Sequence, residues 1–103
     1  MNITTTIAGE RADMAITGRF DAHETDNFRT RFDELVSNGA VRVWVDLSGV
    51  NFIDSSGLAE LVRAMKRLRE LTGDLAIESP SDPVAVILEL TGLHKAFVLD
   101  VRS

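Results

Sequence analysis

Apolar residues along the chain fall into two alternating periods. Ile3, Thr5 and Ile7 alternate with polar neighbours, and Met14 and Ile16 do so again after the polar turn Gly9-Glu10-Arg11. Two short strands are expected, the second ending near Gly18. From His23 to Asn38 the spacing becomes helical, with Phe28, Phe32, Leu35 and Val36 on one side and Asn38-Gly39 as a stop. Val41 to Leu47 is the clearest strand: Val41, Val43, Val45 and Leu47 share one face, and Arg42, Trp44 and Asp46 the other. Ser48 to Ile53 reads as a loop. Leu58, Leu61, Val62, Met65 and Leu68 then mark a long amphipathic helix that stops at Thr72-Gly73. Leu75 to Ile77 is a short strand. Ser81-Asp82-Pro83 supplies a cap and a first-turn proline for a helix over Val84 to Leu90, which Gly92 ends. Ala96 to Val101 is the expected last strand.

Strands alternating with helices predict an α/β domain: a mixed sheet of four to five strands with about three helices mainly on one face. The other face is then thinly covered. Trp44 lies on that face, either packed beneath a neighbouring loop or forming part of a contact surface.

Composition narrows the function classes. At 103 residues the chain is expected to form one domain spanning residues 1–103, and 45% apolar with 26% charged residues is an ordinary globular balance. Cysteine is absent, which removes disulfides, thiolate metal sites and cysteine nucleophiles. A net charge of −5 argues against non-specific nucleic-acid binding. No apolar run reaches the length of a membrane span, and the opening residues lack the basic start and apolar stretch of a secretory signal. A cytoplasmic protein without membrane insertion is expected.

The candidate chemistry is concentrated at Asp54-Ser55-Ser56-Gly57, where the long helix begins. Asp54 or Ser55 is placed to cap the helix by accepting a free backbone N–H. Ser56 then falls in or beside the first turn, where unpaired N–H groups and the helix dipole favour an anion. Gly57 removes a side chain next to that site and opens it to a partner's loop or a phosphate. Taken alone, the tetrapeptide is also an ordinary N-cap.

The wider stretch Val45-Asp46-Leu47-Ser48-Gly49-Val50-Asn51-Phe52-Ile53-Asp54-Ser55-Ser56-Gly57-Leu58 closely resembles the signature of the STAS family, in its anti-sigma-factor antagonist branch. Gly18-Arg19-Phe20-Asp21 and Leu90-Thr91-Gly92-Leu93 resemble two further segments of that family. The resemblance implies that Ser56 is the phosphorylation site, with Ser55 the lesser candidate, and that Asp21 and Asp54 shape the acceptor loop and contact the partner. It implies a partner that is an anti-sigma factor and serine kinase, supplying ATP and Mg²⁺, with a phosphatase to reverse the mark. Unmodified, such a protein binds the anti-sigma factor and frees a sigma factor; the phosphate turns binding off. This chain has no Walker loop and no Gly-x-Gly-x-x-Gly, so it offers no nucleotide cradle and no cofactor is expected.

Helical steps from Ser56 give Glu60, Arg63, Arg67 and Glu70, a stripe expected opposite the apolar one. From Ser55 to Thr72 the net charge is +2, in a chain that is acidic overall. This locally basic helix would meet an acidic partner surface through Glu60, Arg63 and Arg67, or equally is a solvated helix face with supporting pairs at four-residue spacing. Asp21 and Asp54, from the resemblance, and Ser55 and Gly57, from the helix start, complete the expected partner-binding residues.

Other chemistries fit less well. A Ser-His-Asp hydrolase lacks the Gly-x-Ser-x-Gly elbow and the room for a substrate cleft. His94 is expected to interact with free carbonyls at a helix end. Asp21, His23, Glu24 and Asp26 match no metal-ligand spacing and read as an acidic helix start. Within the same family the alternative is a non-phosphorylated accessory subunit of a lipid-transport ATPase, or a stress-signalling scaffold. The chain is expected not to be an enzyme.

Overall fold

The computed structural model describes residues 1–100. Strands β1 (Asn2–Ala8) and β2 (Arg11–Phe20) form an antiparallel hairpin whose two-residue turn needs Gly9 at φ 63°. A 3₁₀ turn (Ala22–Glu24) leads into α1 (Thr25–Ser37), then β3 (Arg42–Ile53), α2 (Ser55–Glu70), β4 (Asp74–Glu78) and α3 (Asp82–Thr91). A second 3₁₀ turn (Leu93–Lys95) precedes β5 (Val98–Asp100). The sheet order is β1-β2-β3-β4-β5, with every pair after the first hairpin parallel. This is the mixed five-stranded α/β arrangement expected from the alternating elements.

Alternation along the strands decides the two faces. Ala12, Met14, Ile16, Val43, Val45, Leu47, Leu75 and Ile77 are buried beneath Phe28, Phe32 and Leu35 of α1, Leu61, Ala64 and Leu68 of α2, and Val84 and Leu88 of α3. The opposite face carries Asp13, Ala15, Trp44, Asp46 and Glu78, all half-buried. On that face the Arg11 guanidinium lies over Trp44, 3.8 Å from the ring centroid.

Three local readings of the sequence need correction. Residues 48–53 are not a loop: β3 continues to Ile53. The register steps from Ala15↔Asp46 to Thr17↔Gly49, and from Gly18↔Val50 to Arg19↔Phe52, so β3 gains one extra residue at each irregularity. Leu47, Val50 and Ile53 therefore all face the core at intervals of three, a spacing that no simple strand period reveals. At the start of α3, Ser81 stands at the N-cap but its hydroxyl does not cap; it donates instead to the Val50 carbonyl, tying α3 to β3. The last strand begins at Val98 and not at Ala96, and Val101 lies outside the described residues.

Candidate functional site at the start of α2

The bulged end of β3 delivers the chain to Asp54 at the carboxyl edge of the sheet, where α2 begins. Asp54 has extended backbone angles and is the N-cap. One carboxylate oxygen accepts the Gly57 N–H at 3.0 Å, and the other accepts the Ala22 N–H at 3.2 Å. Its own N–H donates to the Phe20 carbonyl at 3.3 Å. One aspartate thus fastens the start of α2 to the β2–α1 connection. Asp21 organises that connection from the other side: Oδ1 accepts the His23 N–H at 3.0 Å, and Oδ2 lies 3.6 Å from Arg19 Nε.

Ser55 and Ser56 occupy the first two positions of α2, where the N–H groups have no acceptor within the helix. Ser55 is exposed and Ser56 half-buried. The two hydroxyls belong to different stripes of the helix. Ser55 heads an open apolar groove of about 430 Å³, floored by Leu58, Ala59, Val62 and Leu93 and flanked by Arg63 and Lys66. Ser56 stands one turn above Glu60 on the stripe nearest α1.

The structure corrects the expected roles of Gly57 and Glu60. Gly57 is buried, and the space it leaves is filled by the protein itself: a Cβ there would lie 2.5 Å from the Phe20 carbonyl oxygen and 2.9 Å from Ile53 Cγ1. The glycine lets α2 close against β2, so the missing side chain serves internal packing. Glu60 is not on the solvent side of the helix; it is 5% exposed, set between α2 and α1. Arg29 of α1 and Arg63 both donate to it, Arg63 Nε at 3.2 Å. Burial pushes the Glu60 carboxyl up, but the hydrogen bonds and charges of the two guanidiniums outweigh burial and hold it below the usual carboxylate range. Glu60 correspondingly raises Arg29, through their hydrogen bond first.

Of the remaining expected residues, Arg63 is half-exposed beside Glu60, with Nη2 also 3.8 Å from Asp33. Arg67 is exposed and lies 3.6 Å from Glu70. Asp21, Asp54, Ser55, Ser56 and Arg63 are thus gathered around the start and first turns of α2, while Arg67 lies further along it. Sequence reasoning did not pick out Arg29, Lys66 or the Leu93 wall of the groove, which come from elements or stripes outside the motif. Phe52, 37% exposed beneath Arg19 at 4.1 Å, was likewise absent from the expected site. His94 sits where a helix-end residue was expected, with Nδ1 3.2 Å from the Leu88 carbonyl of α3.

Comparison with known proteins gives a consistent neighbourhood. A family model described as "Mlab, STAS domain" matches residues 3–100. An anti-sigma F factor antagonist of Paenibacillus polymyxa is 28% identical over 81 residues, covering 78% of this chain and 69% of that protein. An anti-sigma-B factor antagonist of Staphylococcus aureus (strain NCTC 8325 / PS 47) is 27% identical over 93 residues, 90% of this chain and 86% of the relative. The solved structure of the anti-sigma factor antagonist SpoIIAA in its unphosphorylated form superposes with a TM-score of 0.86 over 99% of this chain and 89% of that one; at 17% identity, the likeness is one of fold.

Proposed function

The chain belongs to the STAS-domain family, and from that premise we propose that it is a phosphorylation-controlled anti-sigma factor antagonist whose acceptor is Ser56. The observation that carries the proposal is the double use of Asp54. By holding the Gly57 and Ala22 N–H groups together, it fixes the first turn of α2 against the β2–α1 connection. A hydroxyl is thereby presented on a rigid mount, with unpaired N–H groups beside it. In this function the protein is a substrate and a binding partner, not an enzyme.

The anti-sigma factor acts as the kinase and brings ATP and Mg²⁺. Ser56 Oγ attacks the γ-phosphorus, its proton passes to a base on the kinase, the bond to the β-phosphate oxygen breaks, and ADP leaves. Before transfer, the same surface docks the partner. The Ser55 groove takes an apolar anchor, and Arg63, Lys66 and Arg67 face acidic groups. After transfer, a charge of about −1.5 to −2 stands beside Asp54 in a contact shaped for a neutral hydroxyl. Each ~1.4 kcal/mol of repulsion and desolvation lowers affinity tenfold, so one phosphate releases the partner without unfolding the domain.

The test is a phosphosite map of the protein isolated from its host, with Ser56→Ala and Ser55→Ala versions alongside. Phosphate on Ser56, lost only in Ser56→Ala, is the expected result. The family model bears the name Mlab and not that of an antagonist, which favours one second reading. There, α2 is a phosphate-independent docking point of an accessory subunit in a lipid-transport ATPase or a stress-signalling scaffold. Absence of phosphate through growth, starvation and stress is its signature.

A further inference from the structure

We propose that Arg29 is the internal partner of a phosphate on Ser56, leaving Glu60 for the phosphate when the mark is added; the inference rests on the acceptor role proposed for Ser56. The Glu60 carboxylate is held by two guanidiniums, Arg29 from α1 and Arg63 from its own helix. The two differ in freedom. Arg29 reaches in from the surface, its side chain 48% exposed, whereas Arg63 is anchored three residues along the same helix. Arg63 also has a donor in reserve: its Nη2 is buried without a hydrogen-bond partner, and lies 3.8 Å from a carboxylate oxygen of Asp33. If Arg29 departs, Glu60 keeps the 3.2 Å bond from Arg63 Nε, and the reserve donor is available to its other oxygen.

Ser56 supplies the reason for departure. It precedes Glu60 by four residues, so their Cβ atoms are about 5–6 Å apart on one side of the helix. A phosphate on Ser56 therefore appears within reach of the guanidinium already resting on Glu60. It is also a like charge to Glu60, Asp54 and the α1 carboxylates Asp26 and Asp33 that act on Arg29. The phosphate is the more highly charged acceptor and offers three oxygens to a planar, bidentate donor. Exchange leaves no buried carboxylate unpaired, and it pins the new dianion to α1. Arg29 is a positioning residue for the modified state and takes no part in phosphoryl transfer.

The experiment installs phosphoserine at position 56 during synthesis, with no kinase involved. Its outcome is thereby separate from whether the host protein is phosphorylated, which the phosphosite map alone decides. The phosphate is titrated by ³¹P NMR in the otherwise wild-type chain and in Arg29→Gln and Arg63→Gln. The expected second pKa is about one unit lower with Arg29 present than in Arg29→Gln. Arg63→Gln should keep the low value. In the wild-type chain the Arg29 Nε–H resonance should shift as the phosphate ionises, a readout that requires no substitution. Coincident titrations with and without Arg29, an unmoved Arg29 resonance, or loss of the shift only in Arg63→Gln each overturn the proposal.

Discussion

A methyl group at position 57 would meet the Phe20 carbonyl oxygen at 2.5 Å, closer than real Cβ contacts come. Backbone is on the other side of that contact, so relief requires α2 to lift away from β2. Gly57→Ala is therefore expected to cost about 1–3 kcal/mol through overpacking, a fall in Tm of roughly 5–15 °C. Thermal denaturation followed by circular dichroism measures it, and an unchanged Tm would show that the helix start is not closely seated. The motif Asp54-Ser55-Ser56-Gly57 told where the helix begins and that one of its first residues caps it. It did not tell which side of the backbone the missing side chain of Gly57 faces. That depends on Phe20 and Ile53, whose approach is a product of the fold.

At the scale of elements, the contact between α1 and α2 decides what the helix stripe means. A helical period places Glu60 opposite Leu58 and Leu61 only if α2 is buried on a single side. Here the sheet covers one side and α1 a second, so the stripe through Ser56 and Glu60 becomes an inter-helix seam, while Arg67 further along is exposed. The β3 bulges hid the second half of that strand for a similar reason, because each extra residue shifts the phase of an otherwise regular alternation. The α1–α2 seam has a pH signature. The folded-state pKa of Glu60 lies below its unfolded value, so folding favours the ionised form. Its stabilisation is complete above the unfolded carboxylate value of about 4.3 and is lost as pH falls through the lower folded value. Glu60→Gln should reduce stability by about 1–2 kcal/mol at pH ~7 by removing a charged hydrogen-bond acceptor. Urea denaturation at neutral pH and near pH ~3 should show the two proteins converging in acid; a gap independent of pH would place the loss in packing instead.

Across the whole molecule, the alternation of strand and helix made the mixed sheet legible, because each element's period survives in its own stretch of sequence. The resemblance around Asp54 marked the end of the sheet where the candidate site is built. Facing relations between distant elements, such as Arg29 with Glu60 or Leu93 with Val62, leave no local trace. Nor does the covering of Trp44 by Arg11, set by the β2–β3 register.

That covering lies on the face of the sheet away from α2, and Trp44 is the only tryptophan in a chain without tyrosine. Its ultraviolet emission is a built-in gauge of the fold, isolated from events at the serine pair. Adding a partner that docks on α2 should leave the emission maximum where it is, while a urea melt of the same mixture should move it to the red. The stability of the bound protein can then be read without a label. A spectral change on mixing, before any denaturant, would mean that the partner grips the opposite side of the sheet.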